Sequence, residues 1–445
     1  MISFRTPFTL QMGWGRTNYS LGILLDSFDE LTRVSAEVLS RGAIPSGRFR
    51  SYGDSALNSG GVSINSNKFK TIEIQADKGI AVCGSGVTFG ELEHATHLHG
   101  FLPPVVPGTG YVTLGGAFAS DIHGKSQQSK GNFSDHVSQI TLIDGNGIAH
   151  EYHSDSAEFK TTAGGMGLTG FISELRINLE AVETPMIYQK EIRVKSLKEM
   201  LSNLLKLEDE FPFTVAWIDL SGKYHGRGIV TGGRYASKDE MRKKYNLNYS
   251  FEKDVKAITI PFLGRINLMK KFTIKVFNEF WYRKPVKCGL ISYRKFMHPL
   301  DSISNWNLLY GKSGFIQYQF VIPSLESDFL EEVLLILREL EISSAVTVLK
   351  KFGRGGSGYL SFPIPGWTLA MDFPASTKNL AKAIEILDMK LIANGGRVYL
   401  TKDSLLNIDD MKTMYKDLEE WKLMKRKMDP SCFWQSDQSR RLELC

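Results

Sequence analysis

Apolar and polar positions alternate early in the chain in a way that predicts short strands followed by a helix. The run Ile72–Gln75 alternates, and the run from Gly79 to Gly84 is largely apolar, as expected for two neighbouring strands. From Thr88 to His99 the apolar residues recur at helical spacing, and Gly100 follows where a helix would stop. These patterns predict two strands and a capped helix.

Strand patterns return at residues 137–152 and 170–180. The dipeptides Asp144-Gly145 and Asn146-Gly147 interrupt the first of them and are typical of a hairpin turn. We therefore predict an α+β unit with small antiparallel sheets over residues 1–186.

Beyond Thr184-Pro185 the pattern changes to longer elements. Helical periodicity alternates with strand-like runs, which predicts a second domain at 187–396 with an antiparallel sheet covered by helices. The tail is helical and charged, and we expect residues 397–445 to complete the first domain. The predicted helices are 195–210, 325–340 and 376–393, and the predicted strands are 213–220, 315–322, 345–352 and 368–373.

Composition places the chain among ordinary globular proteins. Its 445 residues are 42% hydrophobic and 23% charged, and the formal net charge is +6. There is no run of 18 apolar residues, and the N-terminus lacks the apolar core of a signal peptide. We expect a cytoplasmic protein, with peripheral attachment to a membrane left open, and no nucleic-acid-binding module accompanies the basic residues. The four cysteines (Cys83, Cys288, Cys432 and Cys445) form no close pair, which predicts free thiols in a reducing compartment.

Candidate chemistry is concentrated in residues 105–125, which contain five glycines and one histidine, His123. Clustered glycines let the backbone approach a ligand and leave amides free to donate hydrogen bonds, as a diphosphate requires. The stretch predicts a cofactor site with His123 beside the ligand.

Three other motifs are rejected. Residues 165–170 match GxGxxG, but no clear strand precedes them and no acidic residue follows at the spacing of a Rossmann site. Gly124-Lys125-Ser126 resembles the end of a P-loop, yet Ala119 stands where the first glycine belongs. His94, His97 and His99 lack a carboxylate to complete a metal site, so we predict no metal.

Three segments (47–54, 107–125 and 163–172) form a consistent set, and with them the chain resembles the FAD-linked oxidases of the vanillyl-alcohol oxidase family. The similarity runs nearly end to end and is strongest to members that oxidise polyprenylphosphoryl sugars. It also includes residues 14–17, 314–323, 361–367, 402–404 and 440–444.

This resemblance implies a FAD-binding domain at 1–186 and a substrate-binding domain at 187–396. The FAD diphosphate would rest on backbone amides of the first two segments, and residues 120–123 would pass beside the flavin. The implied cofactor-binding residues are Gly47, Arg50, Ser51, Tyr52, Gly53, Asp54, Gly108, Thr109, Thr113, Leu114, Gly115, Gly116, Ser120, Asp121, Ile122, His123, Gly124, Ile172 and Tyr399.

Two departures from the family pattern bear on the cofactor. Relatives that bind flavin covalently often carry His where this chain has Arg50, which cannot form that bond but can pair with phosphate. We predict non-covalent FAD. Phe49 stands where relatives tend to have Gly, so we expect the loop to differ there.

The resemblance also implies the chemistry. Lys402 matches a lysine near the flavin, and either Lys402 or His123 would take the substrate hydroxyl proton. Gln317 and Gln319 lie on one face of a strand and suit sugar hydroxyls, although capping a sheet edge or facing water is an equal alternative from the residues alone. The implied substrate-binding residues are Tyr52, Gln317, Gln319, Lys350 and Lys402.

The implied reaction is oxidation of the 2-hydroxyl of a polyprenylphosphoryl ribofuranose to a 2-keto sugar lipid. A separate NADH-dependent short-chain reductase would reduce the ketone to the arabinose form. An oxidase of a free sugar or aldonolactone, and a carbohydrate-lipid binding protein without turnover, remain alternatives. Residues 262–288 mix basic with aromatic residues, and the family has loops over the substrate site there; a lid and a membrane-facing segment are equally favoured.

Overall fold

The computed structural model describes residues 7–221, 226–245, 257–260, 267–323 and 328–445. The chain forms two small sheets in its first part and a large sheet in its second, which confirms the predicted α+β class. Two further pairs of short strands join Phe101–Leu102 to Glu180–Ala181 and Ile258–Thr259 to Ile303–Ser304.

The N-terminal sheet corrects one expectation. Its strand order is Phe8–Met12, Tyr19–Leu25, Val62–Asn65 and Ala43–Ser46. Only the first pair is antiparallel, and the other two pairs are parallel. The prediction of exclusively antiparallel small sheets is therefore wrong here, because the direction of pairing depends on contacts distant in sequence.

The second small sheet is antiparallel throughout. Its order is Ile72–Gln75, Ile80–Gly84, Phe171–Asn178, Val137–Ile143 and Ala149–His153. The predicted hairpin turn forms because the Asp144 carboxylate accepts bonds from the Asn146 and Ile148 amides at 2.8 and 2.9 Å. The predicted helix begins at Phe89 with Thr88 and Glu91 in a capping box, and Gly100 ends the following 3₁₀ turn with φ 76°.

Within the described residues, the large sheet has eight strands, all paired antiparallel. In order they are Cys288–Ser292, Met186–Val194, Gly228–Tyr235, Phe213–Ile218, Thr347–Phe352, Gly366–Pro374, Phe315–Ile322 and Arg397–Val398. The last strand lies in the segment that we assigned to the first domain.

Alternation along these strands separates two faces. Tyr318 and Phe320 pack into a core with the helices Leu197–Glu208, Asp328–Glu339 and Leu380–Ala393. Gln317 and Gln319, on the opposite face, line a cavity. Because side chains alternate along the strand, one face of the sheet packs on the apolar core and the other presents polar side chains to the cavity.

The remaining elements are short. None of the described helices is both long and apolar enough to cross a bilayer. The other α-helices are Ala36–Leu39, Leu114–Ala119, Gln127–Lys130, Ala157–Thr162, Lys238–Tyr245, Lys271–Arg283, Tyr293–Met297, Ile408–Met414, Leu418–Met428 and Asp437–Arg441, and 3₁₀ helices cover Phe28–Arg33, Ser66–Lys68, His97–His99, Phe133–His136, Pro299–Ser302 and Trp306–Tyr310.

The C-terminal tail returns to the N-terminal sheet, where Trp434 bridges to Ala43. The prediction of four free thiols is wrong, because Cys432 and Cys445 form a disulfide with their Cα atoms 6.0 Å apart. Their wide sequence spacing has no recognisable pairing signature, and only the final turn of the chain brings them together. Cys83 and Cys288 are free.

The basic and aromatic segment contains one helix in its described part. Residues 262–266 lie outside the described residues, and Lys271–Arg283 forms a helix rather than the loop expected from the family.

Candidate active site

A cavity of about 620 Å³ lies between the first part of the chain and the open face of the large sheet. A volume of this size suits a cofactor or drug-sized ligand. Most of the predicted site residues line it: Gly47, Arg50, Ser51, Tyr52, Gly108, Thr109, Thr113, Gly115, Gly116, Ser120, Ile122, His123, Ile172, Gln317, Gln319, Lys350, Tyr399 and Lys402.

Some predicted cofactor residues do not lie on the cavity wall, namely Gly53, Asp54, Leu114, Asp121 and Gly124. The Asp54 carboxylate accepts two bonds from Arg441, at 2.8 and 3.0 Å. Asp121 is fully buried and accepts bonds from Asn132 and from the Ser134 amide. Their side chains therefore support the wall from behind instead of contacting a ligand.

Glycines shape the cavity where a helix begins. Thr113 caps the helix Leu114–Ala119 by accepting a bond from the Gly116 amide at 3.4 Å. Gly116 is exposed to the cavity, and a Cβ on Gly108 would meet no atom within 4 Å. A Cβ on Gly47 would instead lie 2.3 Å from Thr113 Oγ1. Side chains at these positions would fill the space or displace the cap.

Unpaired polar atoms on the wall indicate what fills the cavity. Arg50 Nε and the hydroxyls of Ser66 and Ser85 are buried without a hydrogen-bond partner among the described residues. Leaving such a group unpaired costs about 1–3 kcal/mol, and a polar ligand would remove that cost. The Arg50 guanidinium lies 3.8 Å from the Trp14 ring centroid and 5.2 Å from that of Tyr111. This donor set fits an anionic cofactor such as FAD.

Two cavity residues adopt the left-handed conformation that favours glycine. Phe49 has φ 49°, so it takes the backbone shape that glycine would supply, at a cost of about 1–2 kcal/mol. At the position where we expected the loop to differ, Phe49 therefore adopts a strained backbone conformation. Met166, with φ 53°, lies in the GxGxxG segment. There a helix precedes the glycines and a strand follows, the reverse of a Rossmann site.

His123 is enclosed on all sides. Lys350 Nζ lies 2.9 Å from Nδ1, and Gln319 Nε2 lies 3.1 Å from Nε2. Phe352 packs edge-on, 4.7 Å away. Burial, followed by the charges of Lys350 and Lys402, holds the pKa of His123 well below its ordinary value. The neutral imidazole of His123 contacts Lys350 and Gln319 through its two nitrogens, and it can hold those two side chains in position.

Lys402 faces the cavity. Its Nζ lies 3.8 Å from the centroid of the Tyr52 ring. Burial lowers the pKa of Lys402 to about 7, while the Asp372 charge acts in the opposite direction. Burial likewise lowers the pKa of Lys350 to about 7, assisted by Lys125 and Lys402. The polar end of the cavity therefore contains two lysines whose pKa values both lie at about 7.

Asp372 is a site residue that sequence reasoning missed. Gln317 donates a hydrogen bond to its Oδ1, and its Oδ2 is buried without a partner among the described residues. Burial raises the pKa of Asp372 to about 7, and the bond from Gln317 and the charge of Lys402 oppose this rise. The available signal was a single carboxylate within the otherwise uncharged strand Gly366–Pro374.

The segment around residue 300 was also missed. Asp301, Ile303 and Trp306 line the cavity, and the Asp301 carboxylate accepts a bond from the Gly110 amide at 2.7 Å. No motif marks these residues, because only the fold brings them to the glycine-rich stretch.

Comparison with known proteins gives consistent results. Residues 29–152 match the family model described as FAD binding domain. The chain is 34% identical, over 99% of both sequences, to the decaprenylphosphoryl-β-D-ribose oxidase of Mycolicibacterium smegmatis. It is 25% identical over 78% of its length to an uncharacterized protein of Streptomyces coelicolor, covering 96% of that protein. An 83-residue stretch, 19% of each chain, is 30% identical to D-lactate dehydrogenase of Archaeoglobus fulgidus.

Proposed function

This chain belongs to the decaprenylphosphoryl-β-D-ribose oxidase family, and we propose that it oxidises the 2-hydroxyl of a polyprenylphosphoryl-β-D-ribofuranose to the 2-keto sugar lipid. It is an FAD-dependent oxidoreductase. One observation carries the substrate proposal. Lys402, Lys350 and two glutamines line the same cavity as the glycine-rich backbone that would hold the cofactor.

FAD is held without a covalent bond. Gly108 and Gly116 leave room for its diphosphate, and Arg50 with the hydroxyls of Ser66 and Ser85 offers donors that are otherwise unpaired. Arg50 replaces the histidine to which covalent relatives attach flavin, and both nitrogens of His123 already have neighbours. Acid precipitation is therefore expected to release the yellow cofactor into the supernatant, and a yellow pellet would contradict the proposal.

The residues around the reacting carbon divide the work. Bound flavin supplies the acceptor for the hydride that leaves the substrate C2–H. Lys402, half deprotonated at about pH 7 and neutral above it, accepts the proton of the 2-hydroxyl. His123 and Gln319 fix the position of the sugar relative to that lysine. The main contribution of the fold is to align the sugar with Lys402.

Lys350 and the glutamines determine what enters. The Lys350 ammonium attracts the substrate phosphate, and the amides of Gln317 and Gln319 bind sugar hydroxyls. A free sugar or aldonolactone would make no use of Lys350. A separate NADH-dependent short-chain reductase takes the keto product and reduces it from the other face to the arabinose form.

The proposed function is tested by an anaerobic absorbance spectrum of the purified protein before and after addition of polyprenylphosphoryl ribose. We expect the flavin band to bleach. A band that bleaches with free sugars or lactones but not with the lipid would contradict the substrate, and a band that bleaches with none of them would contradict turnover.

The rate of flavin reduction should depend on pH through Lys402. Because a lysine must lose its proton before it can accept one, the limiting rate at saturating substrate is expected to rise through about pH 7 and then level off. Loss of charge on Lys350, whose pKa is also about 7, should weaken substrate binding over the same range. Stopped-flow absorbance from pH 5.5 to 9 separates the two effects. A limiting rate that falls with rising pH would contradict the role of Lys402 as base.

Asp372→Asn should move this profile. Asparagine retains an acceptor for Gln317 but removes the negative charge that raises the pKa of Lys402. The midpoint of the rate profile is therefore expected to shift by about one unit toward lower pH. Stopped-flow titration of both proteins measures the shift, and a midpoint that is unchanged or higher would show that Asp372 does not act on Lys402.

A further inference from the structure

The helix Lys271–Arg283 is firmly attached along one face. Asn278 is fully buried, and its amide donates to Asp219 at 2.8 Å and to the Ser344 carbonyl at 3.0 Å. Ile274 is 2% exposed, and Glu279 accepts a bond from Arg227 at 2.5 Å. These contacts fix which face of the helix points outward.

The outward face is apolar. Phe272, Val276 and Phe280 follow one another at intervals of four residues and are 75%, 54% and 71% exposed, with Phe277 beside them at 44%. We call these four residues the Phe272 face. A helix anchored on a globular protein normally turns charged and polar residues to water, so two largely exposed phenylalanines in one stripe mark an interaction surface.

Basic residues surround the Phe272 face. Residues 270–287 include six basic residues, Lys270, Lys271, Lys275, Arg283, Lys284 and Lys287. Three of these form ion pairs, Lys271 with Glu341, Arg283 with Glu279 and Lys284 with Glu191, so an excess of three positive charges remains. Aromatic side chains flanked by lysine and arginine are the composition of helices that lie in the interface of anionic membranes. The charge complementarity favours an anionic lipid bilayer over a protein surface of mixed charge.

The Phe272 face is continuous with the rim of the cavity. Met269, just before the helix, packs against the buried cluster of Tyr52, Tyr310 and Phe315. Trp14 and Trp306 pack against the same cluster and line the cavity. Ile258 and Ile303, paired in a short parallel ladder on the same rim, are 71% and 36% exposed. An apolar rim leading into a polar site suits a substrate whose tail stays in a bilayer while its head group enters.

We propose that the Phe272 face inserts into the interface of a bilayer containing anionic phospholipid and holds the mouth of the cavity at the membrane surface. This inference rests on the proposed function, because it explains how a lipid-borne sugar reaches Lys402.

The test is flotation of the FAD-loaded protein with vesicles of phosphatidylcholine containing phosphatidylglycerol, and with vesicles of phosphatidylcholine alone. We expect binding to the anionic vesicles, weakened at least about tenfold by the double variant Phe272→Ser, Phe280→Ser. Lys275→Glu should weaken it less. Leu98→Ser and Met389→Ser are matched controls, because these side chains are 71% and 63% exposed on other elements, and they should bind as the unaltered protein does.

Three outcomes would overturn the proposal: no flotation of the unaltered protein, equal flotation of the double variant, or equal loss in the controls. Gel filtration completes the test, because a dimer that the double variant dissociates would make the Phe272 face an interface between copies. Flavin bleaching by detergent-solubilised substrate is measured alongside and should be the same in the double variant. Normal vesicle binding without flavin bleaching would contradict the proposed function but would still support the membrane-docking surface.

Discussion

Lys402→Ala is expected to lower the rate of flavin reduction about 10³-fold while FAD stays bound. The Lys402 amino group lies against the Tyr52 ring, and burial lowers its pKa to about 7, so we propose that its neutral form takes the hydroxyl proton. Lys350 Nζ and Gln319 Nε2 lie 2.9 and 3.1 Å from the two ring nitrogens of His123, so we propose Lys402 rather than His123 as the base. Anaerobic stopped-flow absorbance measures the rate, and the spectrum of the resting protein measures FAD content.

Lys351→Ala is the matched control. Lys351 follows Lys350 on the same strand but pairs with Glu208 at 2.6 Å and does not line the cavity. Its removal should leave the rate unchanged. Near-normal reduction in Lys402→Ala would remove Lys402 from the mechanism.

Gly116→Val should weaken the binding of FAD. Gly116 is exposed to the cavity, and its Cβ position is 3.0 Å from Thr113 Oγ1, so valine can turn its methyl groups only into the space of the diphosphate. Overpacking of this kind costs about 1–3 kcal/mol, which weakens FAD binding roughly tenfold to hundredfold. The ratio of flavin to protein absorbance after reconstitution measures the loss of FAD. The ratio for Gly116→Ala should lie between those of Gly116→Val and the unaltered protein.

Ala36→Val separates this effect from helix propensity. It places the same β-branched residue at an exposed first-turn position away from the cavity. Its FAD content and melting temperature should match those of the unaltered protein. A fully loaded Gly116→Val protein would move the diphosphate away from this helix.

Local sequence patterns predicted those parts of the site that depend on backbone shape or on the alternation of side chains along a strand. The glycines at 108, 115 and 116 indicated a cradle because a residue without Cβ is needed wherever a backbone approaches a ligand. Gln317 and Gln319 were placed on one face correctly, since side chains two apart on a strand point the same way. Asp54 and Asp121 belonged to the right segments, but they accept hydrogen bonds from residues far along the chain, Arg441 and Ser361.

By itself the sequence determined the α+β class, most helix and strand positions and the glycine cradle, because each depends on residues within a few turns of one another. Only the tertiary structure decided that Asp372 lies near Lys402, that Asp301 holds the Gly110 amide, that Cys432 bonds to Cys445 and that the N-terminal sheet is mixed. Each of these depends on segments far apart along the chain, and a local pattern carries no record of which distant segment will pack against it.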